Sequence, residues 1–318
     1  METRVLGKSD LKVSTVCFGA WPIGGGMGNV DLKQAVDTIQ AAVDLGITFI
    51  DTAEGYQTSE SVLGQALKGR RDSVILASKL SGPDHSEKHI YEAIENSLSA
   101  LNIEYIDLYQ LHTPQPKWPI QNTMEILMAL KNQGKIRHIG LSNFTPDQTQ
   151  EAMAFGTIIS SQPRYNLLFR QEDLTLEFCR QNEIGIIPHS VLAKGLLGGS
   201  YKPGHIFAND DERRLFNFFQ GAMFETIYEV TQQLEKWAKS QGRDLIQLAI
   251  AWVLANSAVT SAIVGMKSVA QVENAVKATT WKLTSRDLSE VETIIGNLRP
   301  EWVKDQTPED IPYKYGTY

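Results

Sequence analysis

At 318 residues, 42% of them hydrophobic, the chain is long enough to bury one large core, and a single α/β barrel of this length is ordinary. A net charge of −7 with basic residues scattered along the chain excludes the electrostatic footprint of a nucleic-acid or anionic-membrane binder and leaves a small molecule as the expected partner. The two cysteines, Cys17 and Cys179, exclude a disulfide framework and a cysteine-held zinc site, so a reducing, cytoplasmic setting without a metal is expected.

In chain order, the polar start METRVLGKSDLK does not read as a signal peptide. Residues 1 to 13 read instead as a small hairpin, RVLGKSDLKVS, that caps the bottom of the main body. Eight short β-branched runs then alternate with helical stretches: STVCFG (14–19), ITFID (47–51), SVILASK (73–79), IDLYQLH (106–112), IRHIGLS (136–142), IISSQ (158–162), IGIIPH (184–189) and TSAIVG (260–265). Mostly apolar runs of this length suit parallel strands buried on both faces.

The intervening stretches carry helix signals. Asp31 with Gln34 reads as a capping box before AVDTIQAAVDLG, which ends on Gly46 as C′. Ser86 reads as N-cap of SEKHIYEAIENSLSALN, where Ile90, Ile94, Leu98 and Leu101 share one face. Thr145, a proline at the next position and Gln148 form a second capping box with Pro at N1. The most apolar segment, LIQLAIAWVLANSAV, contains Gln247 and Asn256 and is shorter than the roughly 20 apolar residues a bilayer requires, so no membrane span is expected. Eight strand–helix units with no linker or repeat boundary predict a single-domain (β/α)8 TIM barrel over residues 1–318, rather than an open doubly wound sheet. Two long irregular segments, 198–221 and the tail after about Arg299, lie where a lid would.

A barrel of this kind builds its active site at the C-terminal ends of its strands. The second, third and fourth runs end on Asp51, Lys79 and His112, and Tyr56 follows the second on the same face. A tyrosine is a poor acid at neutral pH, its hydroxyl ordinarily titrating at about 10, but a neighbouring ammonium stabilises its phenolate. Lys79 would be that ammonium, Asp51 would hold it charged, and His112 would donate a hydrogen bond to the substrate's carbonyl oxygen. The set suits proton delivery to an oxygen on which negative charge develops, as carbonyl reduction by hydride requires. Each of the four taken alone fits a structural ion pair or a packed core residue, whereas their meeting at one mouth does not.

With these motifs, FIDTAEGY, LASKL and LYQLH, the chain resembles the aldo-keto reductases from RVLGKSDLKVS to GMKSVAQVENAVKA, and GITFIDTAEGYQTSESVLG (46–64) looks like the family's first signature. The resemblance implies an NADPH-dependent reductase of aldehydes and ketones in which Asp51, Tyr56, Lys79 and His112 are the catalytic tetrad and Tyr56 is the general acid. It also implies that Ser142, Asn143 and Gln162 bind the nicotinamide carboxamide, whose amide both donates and accepts. His189, Ser190, Leu192, Lys194 and Gly195 in HSVLAKGLLGG match the loop that wraps the diphosphate, where backbone amides form an anion nest. Gly265, Lys267 and Ser268 in GMKS precede a helix start suited to a phosphate, and Lys267 with Ser268 favours the 2′-phosphate of NADP(H). Gln271 and Asn274 fall in the adenine region, where alignment from Gln271 places Asn274 and Ala275 at the positions of the family's usual Glu-Asn pair. His189 replaces the aromatic residue that stacks on the nicotinamide in many members.

The glycine-rich WPIGGGMGN (21–29) imitates a dinucleotide fingerprint but has Asn29 where the third glycine is required. It reads as a mouth loop with Trp21 lining the substrate pocket. Substrate choice is assigned to loops 21–30, 82–85, 113–119, 199–224 and the tail, whose Trp118, Phe207, Phe216 and Trp302 point to an apolar or aromatic aldehyde. Two other functions compete: a cofactor-binding regulatory or redox-sensing subunit, and a Schiff-base lyase using Lys79.

Overall fold

Parallel strands buried on both faces need a helix to cross back between them, and the computed structural model shows that alternation. It describes residues 1–298 apart from 29, 171, 172 and 210; Asn29 and the tail with Trp302 therefore lie outside the described residues. The hairpin comes first, β1 (Thr3–Val5) and β2 (Lys12–Ser14), paired antiparallel. Then come β3 (Val16–Gly19), α1 (Leu32–Asp44), β4 (Phe49–Asp51), α2 (Ser59–Ala66), β5 (Ile75–Leu80), α3 (Glu87–Leu101), β6 (Ile106–Leu111) and α4 (Ile120–Asn132). The second half runs β7 (Ile136–Ser142), α5 (Pro146–Met153), β8 (Ile158–Gln162), α6 (Asp173–Gln181), β9 (Gly185–Ile186), α7 (Gly221–Ser240), α8 (Leu245–Ala255), β10 (Ala262–Gly265), α9 (Val269–Ala278) and α10 (Ser285–Leu298).

The eight strands from β3 to β10 lie in the order β10-β3-β4-β5-β6-β7-β8-β9, every neighbouring pair parallel. The ring closes between its two ends through a bridge from Ile186 to Val259 and through Thr260 N–H to Ile186 O (2.7 Å) and Ile263 N–H to Pro188 O (3.0 Å). The predicted eight-stranded barrel is the observed fold, although several strands are shorter than the apolar runs that announce them. Residues 71–73, placed partly in the third run, form a 3-10 turn instead.

Two apolar layers hold the barrel. Inside it, Cys17, Phe49, Ala77, Leu108, Ile159, Ile187 and Ile263 pack on Leu6, Leu11 and Val13 of the hairpin, so the hairpin plugs the bottom. At its tip Gly7 has φ +52°, and a Cβ there would lie 2.2 Å from Ile159 O; only glycine permits that approach. Outside, the helices bury Ile39, Ile90, Ile94, Leu127, Leu234 and Leu248 against the strands. Among the described residues no helix is long and apolar enough to cross a membrane.

Helix starts reflect the local chemistry. Ser86 Oγ accepts from His89 N–H, and Thr145 and Gln148 form a complete capping box. At α1 the box is only half made. Asp31 accepts from Gln34 N–H, but Gln34 Nε2 donates to Lys267 O (2.7 Å), which ties the start of α1 to the segment before α9.

Candidate functional site

The C-terminal ends of β4, β5 and β6 bring the expected residues together. Asp51 closes β4 with 2% of its surface exposed, and Lys79, in β5, is fully buried. Lys79 Nζ donates to Asp51 Oδ1, to Thr52 O (2.8 Å) and to the Tyr56 hydroxyl (3.5 Å). The Tyr56 hydroxyl also lies 3.4 Å from His112 Nε2. His112 falls one residue past β6, held by its N–H to Leu80 O (3.1 Å) and by Asn143 Nδ2 donating to its carbonyl (3.0 Å). Burial first, then the neighbouring Lys79 and His189, holds the His112 imidazole well below its ordinary pKa, so it is neutral.

Two side chains outside the predicted tetrad complete its electrostatics. Gln110 Nε2 and Gln162 Nε2 donate to Asp51 Oδ2 at 3.0 and 2.9 Å, and Gln162 Nε2 also reaches Gln110 Oε1. Both oxygens of a buried carboxylate are thus satisfied, without which its desolvation would be prohibitive. Sequence reasoning missed Gln110. Its signal was available: it sits two residues before His112, hence on the same inward side of the chain, and it pairs in register with Lys79. Ser81, two residues after Lys79, was missed likewise; its Oγ lies 2.8 Å from His112 Nδ1.

Beside the cluster opens a cleft of about 240 Å³, lined among others by Trp21, Asp51, Tyr56, His112, Ser142, Asn143, Gln162, His189, Ser190, Leu192, Lys194, Gly195, Gly265, Lys267 and Gln271. Ser142 donates to Gln162 O (3.1 Å). Asn143 takes φ +62°; its Oδ1 faces His189 Nε2 at 2.9 Å and its Nδ2 also reaches Ser142 Oγ at 3.1 Å. His189 Nδ1 lies 2.9 Å from Ser190 Oγ. Burial first, then the charges of Arg164, Lys194 and Lys79, press the His189 pKa down to about 3.

Ser190, Ala193, Lys194 and Gly195 all take positive φ (56°, 47°, 54° and 102°). The segment coils tightly on itself, with Ala193 N–H donating to Ser190 O (2.7 Å) and Gly195 N–H to Leu192 O (2.8 Å). The donor set, side-chain amides and hydroxyls at one end and Lys194 and Lys267 at the other, fits a nicotinamide dinucleotide.

Two expected cofactor residues stand apart from the cleft lining. Ser268 is the N-cap of α9, its Oγ accepting from Gln271 N–H. Asn274 donates to Asp244 Oδ2 and accepts from Gln247 Nε2, both at 2.7 Å, so its amide is engaged with the start of α8. Lys267 Nζ donates to the carbonyls of Met27 and Gly28.

Over the cleft, two loops meet. Met27 bridges Asp211, Glu212 N–H donates to Gly26 O, and Glu212 Oε1 accepts from both Trp21 Nε1 (3.0 Å) and Lys194 Nζ (2.6 Å). The Trp21 indole also meets Tyr56 edge-on at 4.6 Å between centroids. Segment 198–221, expected to be irregular, contains 3-10 turns at Glu212–Leu215 and Asn217–Phe219. Phe207 and Phe216 are buried, against Tyr201 and Phe219 and against Phe218 respectively, and neither lines the cleft. Two of the four side chains behind the aromatic-substrate expectation are therefore core.

Comparison with known proteins bears on this geometry. The model of the Aldo/keto reductase family matches residues 15–295. The aldo-keto reductase YhdN of Bacillus subtilis is 37% identical over 98% of this chain and 100% of its own length. The NADH-specific methylglyoxal reductase of Escherichia coli is 33% identical over 90% of this chain and 96% of its own. Among solved structures, the glycerol dehydrogenase AKR11B4 of Gluconobacter oxydans superposes with a TM-score of 0.84 at 31% identity, covering 94% of this chain and 96% of that one.

Proposed function

Because the chain belongs to the aldo/keto reductase family, we propose that it reduces a small aldehyde or ketone to the alcohol, with NADPH as reductant and Tyr56 as general acid. The observation that carries this reading is the Lys79 ammonium lodged between the Asp51 carboxylate and the Tyr56 hydroxyl, with His112 Nε2 on the hydroxyl's other side.

The bound reduced nicotinamide supplies the hydride. Everything else is done by side chains. Tyr56 Oη and His112 Nε2 flank the place for a carbonyl oxygen, so that oxygen receives two hydrogen bonds as negative charge grows on it. Tyr56 then gives its proton to the alkoxide, and the ammonium of Lys79 stabilises the phenolate left behind. Asp51 keeps the ammonium in place, while Gln110 and Gln162 keep Asp51 in place. Trp21 walls the mouth and helps exclude water.

Ser142, Asn143 and Gln162 would hold the carboxamide, the segment Ser190–Gly195 the diphosphate, and Lys267 beside the start of α9 the 2′-phosphate. The lysine is the reason for choosing NADPH. The Escherichia coli relative is named for the opposite preference.

The lyase alternative is disfavoured by Lys79's surroundings. Its three N–H donors all have acceptors, whereas a nucleophilic amine needs a free lone pair.

The test monitors the absorbance of NADPH and NADH with a panel of aldehydes and ketones for wild type and Tyr56→Phe. We expect faster turnover with NADPH and a loss of at least about 10²-fold in kcat for the variant. Tight NADPH binding with no turnover across the panel would favour a regulatory subunit.

A further inference from the structure

Ser81 belongs to no motif, yet it sits where it can decide which nitrogen of His112 carries a proton. A neutral imidazole has one N–H, and the nitrogen that bears it is set by the hydrogen bond at the other nitrogen. Only the Nε2–H form of His112 can donate toward the oxygen end of Tyr56; the Nδ1–H form presents a lone pair there and would repel a carbonyl oxygen.

The surroundings of Ser81 favour one form. The residue is buried, with 7% exposure. Its Oγ lies 2.8 Å from His112 Nδ1, and no other hydrogen bond among the described residues reaches that oxygen. A buried hydroxyl left without an acceptor is unfavourable, and Nδ1 is the acceptor in reach. The hydroxyl therefore donates to Nδ1, which must be bare, and the ring proton is left on Nε2.

The serine is itself held. Its N–H donates to Glu54 Oε1 at 2.5 Å, and a Cβ on Gly55 would come within 3.1 Å of Ser81 Cβ. Glu54 and Gly55 directly precede Tyr56. The turn that carries the tyrosine thus also fixes the serine that orients the histidine, so acid and orienting group are set by one turn.

We propose that Ser81 is a positioning residue, locking His112 in the Nε2–H tautomer that faces the Tyr56 hydroxyl. Its benefit to catalysis rests on the reductase reading above, but the tautomer itself does not.

The experiment is nitrogen-15 NMR of the imidazole rings in the full chain, with the His112 signals assigned by their absence in His112→Gln. Wild type is expected to show Nε2 protonated and Nδ1 bare. Ser81→Ala is expected to lose that pattern, to lower kcat by about tenfold or more, and to leave the KM for NADPH within about twofold. Ser81→Thr, which keeps the hydroxyl, is expected to recover the tautomer and most of the lost kcat. Nδ1 protonation in wild type, or an unchanged tautomer in Ser81→Ala, overturns the proposal. Absence of turnover in wild type while the nitrogen pattern holds as expected counts against the reductase reading and not against the role of Ser81.

Discussion

The Lys79 ammonium and the Asp51 carboxylate are both out of water, and such a pair is tolerable only when every remaining lone pair and proton is satisfied. Gln110 is therefore as much a part of the site as the residues it serves. Gln110→Leu keeps the volume but removes a donor from Asp51; it should destabilise the protein by about 1–3 kcal/mol in urea denaturation and lower kcat in the same preparation. Glu54 has the opposite problem. Burial raises its carboxyl to about 7 despite the bond from Ser81 N–H. A carboxyl whose folded pKa exceeds its unfolded value binds more protons in the native state, so its contribution to stability falls as pH rises from about 4.5 to about 7. Glu54→Gln removes that loss. Relative to wild type it should gain up to about 3 kcal/mol between about pH 5 and pH 8 in chemical denaturation, and an unchanged difference across that range would refute the assignment. Asp51, Tyr56, Lys79 and His112 were legible because strand ends in a barrel converge on one mouth. Gln110 and Ser81 could be placed on the same face by their two-residue spacing from His112 and Lys79, but their roles could not be read until the fold set Asp51 and His112 across from them. Glu212 was beyond reach altogether: its two partners, Trp21 and Lys194, come from loops far apart in the chain.

At the scale of elements, the strands were legible from their apolar, β-branched runs, and the errors in their bounds have a common cause. Sequence marks where burial begins, whereas a ladder begins only where a neighbour is in register. Thus 184–189 is mostly apolar, but only Gly185–Ile186 pairs as strand; Ile187 and His189 instead bond into the neighbouring segments at Ser161 and Pro163. The same irregular backbone continues into the segment with positive φ at Ser190 and at Ala193, Lys194 and Gly195. Gly195, which the sequence matches to the family's diphosphate loop, lies in it. With φ +102°, and Tyr201 Cε2 3.0 Å from where a Cβ would stand, it does not accept a side chain without strain of about 1–2 kcal/mol. Gly195→Ala should weaken NADPH binding by about tenfold, as read by fluorescence titration, while leaving the helices intact by circular dichroism. An unaltered Kd would remove this loop from the binding site.

For the molecule as a whole, function and closure sit at opposite ends. The candidate catalytic cluster is at the C-terminal mouth, and the hairpin fills the N-terminal floor. Gly7→Ala should therefore separate the two: a Cβ driven against Ile159 O destabilises the fold by at least about 2 kcal/mol, while the folded fraction keeps its wild-type kcat. A matching loss of kcat per folded molecule would show that floor and mouth are coupled. The strand order has one more consequence, for the way the chain is made. β3 lies beside β10, so the first barrel strand to leave the ribosome has a flank that stays bare until the last one arrives. Through most of synthesis the nascent sheet is an open fan with two unpaired borders, each a template for wrong pairing. The cell must either shield that fan or hold its translation ahead of its collapse, and a chain halted before Ala262 should be captured by chaperones where one released after Gly265 is not.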